Sequence, residues 1–263
     1  MQTQAVIEHI VNWMKEYAER ARVKGFVVGV SGGIDSAVVS VLAAKTGLDV
    51  LLLEMPIRQQ ADQVNRAQAH IVDLQSRFTN VRGFSVDLTP TFEQFEQTVA
   101  GDGSAEEVRQ LAMANSRSRL RMLTLYYYGQ TNGLLVAGTG NKVEDFGVGF
   151  FTKYGDGGVD ISPIADLMKS QVYELAKELA VIQSIQEAVP TDGLWDGERT
   201  DEQQMGATYP ELEWAMSVAD SRTPADFEGR QREVLEIYLR LNRAMQHKVQ
   251  PIPVCRIPKK WLI

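Results

Sequence analysis

The chain has 263 residues, 44% of them hydrophobic and 23% charged, and its 27 Lys+Arg against 34 Asp+Glu give a net charge of −7. That composition suits a globular protein with one large α/β domain, and its acidic balance disfavours broad nucleic-acid binding, which needs a basic face. A single cysteine, Cys255, excludes an intrachain disulfide and multi-cysteine metal sites. No apolar run approaches the ~20 residues of a membrane span, and a cytoplasmic location is the default expectation.

Taken in chain order, Val6, Ile10, Trp13, Met14 and Tyr17 recur at helical spacing and predict an opening amphipathic helix. The apolar run Gly25 to Val30 stops at Ser31-Gly32-Gly33, and Ala37, Val38, Leu42 and Ala43 follow, which predicts strand, tight turn and helix. The pattern repeats with strands at 50–53, 83–86 and 134–137, and helices over 59–74, 91–99, 106–128, 168–180, 211–219 and 224–247. Buried strands alternating with helices predict a doubly wound, mostly parallel sheet covered on both faces, a Rossmann-like α/β fold. Seven glycines between Gly138 and Asp160 argue against regular structure there, and 190–206 reads as a mobile surface loop. A proline-spaced tail runs from Pro251 to Pro258.

Three segments carry candidate chemistry. In Ser31-Gly32-Gly33-Ile34-Asp35-Ser36 the glycines let several N–H groups and a helix N-terminus point at one spot, which suits a phosphate. Asp35 beside a polyphosphate makes sense with a bridging cation such as Mg²⁺; otherwise Asp35 and Ser36 cap the helix. The segment Gly138-Thr139-Gly140-Asn141-Lys142-Val143-Glu144 lies beyond the fourth strand, where α/β sheets place ligands, and offers a second carboxylate, Glu144, and a hydroxyl, Thr139. A capped helix start explains it equally. The glycine-rich run 151–160 presents Lys153, Asp156 and Asp160; an aspartate there could hold ammonium and take its proton, or form a solvated turn.

The loop 31–36 resembles the pyrophosphate loop of the N-type ATP pyrophosphatases. Phe151-Thr152-Lys153-Tyr154-Gly155-Asp156-Gly157-Gly158, with Pro163, Lys169, Pro190-Thr191-Asp192 and His247-Lys248, narrows the resemblance to the ammonia-dependent NAD synthetases. That resemblance implies ATP, deamido-NAD and ammonia as substrates, Mg²⁺ as cofactor, and a homodimer with its substrate site near the interface. It places Gly29, Val30, Ser31, Gly32, Gly33, Ile34, Asp35, Ser36, Gln60, Thr139, Lys169 and Thr191 at ATP, and Asp35 with Glu144 at the metal. Arg119, Lys153, Asp160, His247 and Lys248 would contact deamido-NAD, while Asp156 and Lys169 would be catalytic. Some bacterial members carry Asp-His where this chain has Gly140-Asn141-Lys142, which bears on details of the site. A single domain over 1–263 without a glutaminase domain is expected, with free or delivered ammonia as nitrogen source. Another ATP-pyrophosphatase amidase, a tRNA thiolase and a non-catalytic nucleotide sensor are the alternatives; Cys255 is the only thiol a thiolase could use.

Overall fold

Short runs of β-branched and aliphatic residues form four parallel strands, β1 (Gly25–Gly29), β2 (Asp49–Glu54), β3 (Val81–Ser85) and β4 (Leu134–Val136), in the order β3-β2-β1-β4. The computed structural model describes every residue except 102, 104, 192, 193, 195–199 and 263. Gly25 pairs with Asp49 on one side and Leu134 on the other, and Ala137 extends the sheet by one bridge to Ile161. The helices are α1 (Thr3–Ala21), α2 (Ile34–Lys45), α3 (Ala61–Arg77), α4 (Thr89–Thr98), α5 (Glu106–Asn132), α6 (Lys169–Glu178), α7 (Gln183–Gln186), α8 (Asp201–Met205), α9 (Tyr209–Val218) and α10 (Gly229–Val249). None is long and apolar enough to cross a membrane among the described residues.

Successive strand residues point to opposite faces, and here both faces are covered. Phe26, Val28, Val50 and Leu52 pack with α1, α2, α3 and α6, whereas Val27, Leu51, Leu53 and Val136 pack with Phe92 of α4 and Met113 of α5. A third apolar cluster joins Val143 and Val148 to α8, α9 and α10 through Met205, Leu212, Val234 and Leu235. This is the two-faced parallel sheet that the alternating strand and helix pattern predicts.

Three local expectations need correction. The glycine-rich stretch after β4 is not wholly irregular: Lys142–Val148 forms a π-helical turn, begun by the Asn141 side chain accepting from the Glu144 N–H and ended by Gly149 at φ 65°. The 190–206 stretch contains a helix, α8, whose Asp201 and Met205 are buried, so that part is no surface loop; its other expected features fall largely outside the described residues. Finally, α10 starts at Gly229 rather than Pro224, because Pro224–Asp226 closes a separate 3₁₀ turn capped by Thr223. The tail from Pro251 to Leu262 is exposed, Cys255 included.

One core group has a measurable consequence. His70 of α3 is fully buried, with Nε2 2.8 Å from Ser40 Oγ. Ser40 Oγ donates to the Ala37 carbonyl, so His70 Nε2–H is the donor in their pair, and Nδ1 has no hydrogen-bond partner among the described residues. Burial pushes the imidazole down to about 4, so the folded protein stays neutral at His70 while the unfolded chain binds a proton near pH 6.5. Stability is therefore lost as pH falls from about 6.5 towards 4, by up to ~3 kcal/mol from this group. Thermal melts of the wild type and His70→Leu across that range check it: the variant loses the histidine contribution to the slope, and equal slopes would refute the assignment.

Candidate active site

The strand order reverses between β1 and β4, the crevice where open α/β sheets hold ligands. A cleft of about 260 Å³ opens there, lined by residues 29–36, the segment 137–140, Glu144, Asp145, Asp156, Lys169 and Thr191. Its first wall is the turn after β1. Gly32 sits at φ +81°, and a Cβ on it would lie 2.6 Å from the Gln63 carbonyl oxygen, so only glycine lets the turn press against α3. Ser36 Oγ accepts from the Ser31 N–H at 3.2 Å and donates to the Gly33 carbonyl at 3.0 Å. Gly33, not Asp35 or Ser36, is the helix N-cap; Asp35 lies in the first turn of α2.

Opposite this cradle, the first residue of α6, Lys169, is 4% exposed at its side chain. Its Nζ donates to Asp35 Oδ2 at 2.6 Å and to Glu144 Oε1 at 2.9 Å. Burial opposes the ammonium, yet the two carboxylates more than offset it and hold Lys169 above the ordinary lysine range. Burial likewise opposes charge on Glu144, but Lys169 and the Tyr209 hydroxyl outweigh it and hold the carboxyl below its usual value. Asn141 Nδ2 donates to Asp35 Oδ1 at 3.1 Å, so the two members of Gly140-Asn141-Lys142 that carry polar side chains divide their work. Asn141 faces the cleft carboxylate, and Lys142 pairs with Asp166 on the surface at 2.7 Å.

Asp156 also lines the cleft. Its Oδ1 accepts from Ser118 Oγ at 2.6 Å and the Thr152 N–H at 3.0 Å, and its own N–H donates to Ser118 Oγ at 2.8 Å. A Cβ on Gly155 would collide with Ser118 Oγ, which explains a glycine at this approach of loop to helix. Burial pushes the Asp156 carboxyl up from its ordinary value, with the Ser118 and Thr152 donors pulling the other way.

The remaining candidates divide. Thr139 and Thr191 line the cleft, and Thr191 Oγ1 accepts from Gln63 Nε2 at 2.7 Å. Gln60 does not line it; Gln60 is the residue before α3, and its neighbours Gln59 and Gln63 face the cavity instead. Arg119, Lys153, Asp160, His247 and Lys248 also stand outside the cleft lining. Asp160 accepts from Tyr126 Oη at 3.0 Å and the Val136 N–H at 2.8 Å, tying α5 to β4. Lys248 donates to the Gly149 and Phe151 carbonyls at 2.7 Å each, and Lys153 Nζ donates to the His247 carbonyl. Asp192 lies outside the described residues.

Several residues of the site and its surroundings escape sequence reasoning. Asp145 lines the cavity, and burial with the nearby Asp156, Glu144 and Asp35 pushes its carboxyl well above the usual range; its place beside Glu144 was the only signal. Gln59 forms a side wall with Arg121, bonded to it at 2.8 Å; Arg121 is readable in sequence as one of several basic residues near the site, each a solvated charge unless they converge in space. Tyr209, at the start of α9, donates to Glu144 Oε1 at 2.5 Å and carries Lys169 Nζ 4.7 Å from its ring centroid. A tyrosine at a helix start has no local sequence signal for such a role.

A strand-to-helix glycine turn facing a buried lysine and two carboxylates defines a nucleotide-handling α/β protein. The family model of NAD synthase matches residues 6–251. The chain is 35% identical over 242 residues to an NH(3)-dependent NAD(+) synthetase of Carboxydothermus hydrogenoformans, covering 92% of this chain and 93% of that one. Among solved structures it resembles an NMN synthetase from Francisella tularensis, with a TM-score of 0.85, 32% identity, and coverage of 98% of this chain and 100% of that one. An NH3-dependent NAD synthetase from Campylobacter jejuni shares the fold, with a TM-score of 0.77, 22% identity, and coverage of 97% and 100%. The chain belongs to the NAD synthase family.

Proposed function

We propose that this protein amidates deamido-NAD with ammonia at the expense of ATP, giving NAD, AMP and pyrophosphate in the last step of NAD synthesis. Family membership sets the reaction, and one observation carries it to these residues: the glycine cradle, Lys169 and Asp156 face a single cleft. A carboxylate resists nucleophiles and must first be activated. Its oxygen attacks the α-phosphorus of ATP, pyrophosphate leaves, and the acyl-adenylate forms; ammonia then attacks the acyl carbon and AMP leaves. The loop N–H groups and Lys169 hold the negative charge that gathers on the leaving pyrophosphate. Asp156 binds ammonium and takes the proton that its nitrogen must lose before it attacks.

The donor set suits magnesium. Asp35 and Glu144 offer hard oxygens that converge on one point, at present shared with the Lys169 ammonium. No group of three or more His, Cys, Asp or Glu side chains gathers to hold a metal among the described residues. Two carboxylates fit Mg²⁺ bound jointly with substrate phosphates rather than a resident protein cage. Such an ion supplies charge neutralisation on the phosphates.

A homodimer is supported by α5, where Val108, Leu111, Leu123 and Tyr127 are each more than half exposed along the helix that also carries Arg119. Sedimentation is expected to give a dimer at micromolar concentration and a monomer for Leu123→Glu; a monomeric wild type would remove this reading.

A second acceptor is favoured by the 32% identity to an NMN synthetase and by the position of the five distal candidates outside the cleft lining. Nicotinate mononucleotide carries the same carboxylate and would be amidated by the same chemistry. An end-point assay with ATP, Mg²⁺, ammonium and each acceptor in turn, reading amide and AMP together, decides. Equal amide and AMP from deamido-NAD, lost in Asp35→Ala, supports the first reading. A kcat/KM at least ten-fold higher for the mononucleotide moves the substrate to the second, and no product from either acceptor overturns both.

A further inference from the structure

We propose that Tyr209 is a positioning residue for the Lys169–Glu144 pair, holding the carboxylate through its hydroxyl and the ammonium over its ring. The inference rests on the amidation reading for its chemistry, but its geometry is independent of the acceptor. Tyr209 does not line the cleft, so it acts only through neighbours that do. Its hydroxyl lies 2.5 Å from Glu144 Oε1, the oxygen that also takes Lys169 Nζ at 2.9 Å. Its ring face carries the same Nζ at 4.7 Å, a cation–π contact strengthened by burial. One side chain thus touches both members of the pair, and the two contacts fix the carboxylate oxygen and the ammonium against each other.

The tyrosine is itself held from several directions. It is 6% exposed, and its N–H donates to Glu202 Oε1 at 2.9 Å. The preceding Thr208 is locked in a capping box with Glu211, whose carboxylate Arg230 grips at 2.8 and 2.9 Å. The hydroxyl also lies 3.2 Å from Asp201 Oδ2, and the Asp201 N–H donates to the Pro190 carbonyl. Pro190 and Thr191 line the cleft beside Asp201. Tyr209 therefore joins the cleft wall at 190–191 to the pair at its centre.

Outer partners that orient a ligating carboxylate typically change metal affinity or activity ten- to hundred-fold when removed. Tyr209→Phe keeps the ring and removes the hydroxyl. Its expected effect is a fall in kcat of about ten-fold with little change in KM for the nucleotide acceptor, and Mn²⁺ binding in the presence of ATP weakened by about ten-fold, read by electron paramagnetic resonance without turnover. In the Glu144→Gln background the same substitution is expected to leave Mn²⁺ binding unchanged, since the group it acts through has gone. Wild-type Mn²⁺ affinity and kcat in Tyr209→Phe would overturn the proposal. So would an additive loss in the double variant, or a collapse of the melting temperature that accounts for every kinetic change, because each makes Tyr209 scaffold alone. Wild-type protein that binds Mn²⁺ with ATP yet forms no amide would instead refute the amidation reading and leave the Tyr209 test standing.

Discussion

Replacing Lys169 with Met is expected to reduce both AMP and amide formation by at least ~10³-fold, the scale seen when a preorganised charge is removed from a transition state. It should also cost about 3 kcal/mol of stability, because Asp35 and Glu144 are then left side by side without a counter-charge. The two effects separate with pH. Burial already raises the Asp35 carboxyl against the opposing pull of Lys169; two neighbouring carboxylates without that cation favour a proton on one of them more strongly, so the variant takes up a proton on folding at higher pH than the wild type. Its stability deficit should therefore shrink as pH falls from 8 to 5, while its activity should not recover. Melting curves and product assays at matched pH check this. Wild-type AMP production by Lys169→Met would take the residue out of the phosphoryl chemistry, and a deficit that grows at low pH would contradict the charge account.

Asp156→Asn is expected to break the reaction at its second half. The side chain keeps its shape, and Ser118 Oγ and the Thr152 N–H still meet an oxygen at Oδ1. On the proposed mechanism, what is lost is the negative charge that would hold ammonium and accept its proton, a contribution of roughly 10²–10⁴-fold. The same proposal assigns adenylate formation to Lys169 and the loop after β1, so AMP release should continue as the adenylate hydrolyses while amide formation falls. The measurement is the ratio of amide to AMP, expected near one in the wild type and far below one in the variant. Equal loss of both products would place Asp156 in adenylate formation or in the scaffold.

The sheet was legible because its central strands, β1 and β2, are buried on both faces. Runs such as Phe26-Val27-Val28 and Leu51-Leu52-Leu53, bounded by glycine or charge, have few other interpretations. The turn after β1 was legible for the same local reason, since strand, paired glycines and helix lie within a dozen consecutive residues. Elsewhere local signals misled. Glycines after β4 suggested irregular backbone, but those at 147 and 149 flank or enter a π-helical turn packed against α10. The acidic, glycine-bearing stretch beyond Pro190 hid α8 because its burial comes from α9 and α10, which no nearby residue announces.

Within the site, what could be read was the set of loops, and what could not was how their side chains pair. Nothing in the sequence distinguishes Gln60 from Gln59 and Gln63; the path by which the chain enters α3 does. Lys248 and Asp160 carry charges that suit a phosphate or a ribose, yet inside this chain both bind backbone groups. Tyr209 and Asp145 became visible only when the third apolar cluster set the π-helical turn against α9. Residue type and order locate loops, whereas tertiary packing decides which polar atoms meet.

The lysine at the centre of the cleft lies 134 positions from Asp35 and 25 from Glu144. Meeting Asp35 closes a loop that spans half the molecule, a step whose entropic cost must be met before the contact can repay it. During synthesis the glycine cradle and the π-helical turn emerge first, each with a carboxylate still open to water, and the cation arrives only with α6. No N-terminal piece of the chain that stops before Lys169 holds the charge-balanced centre.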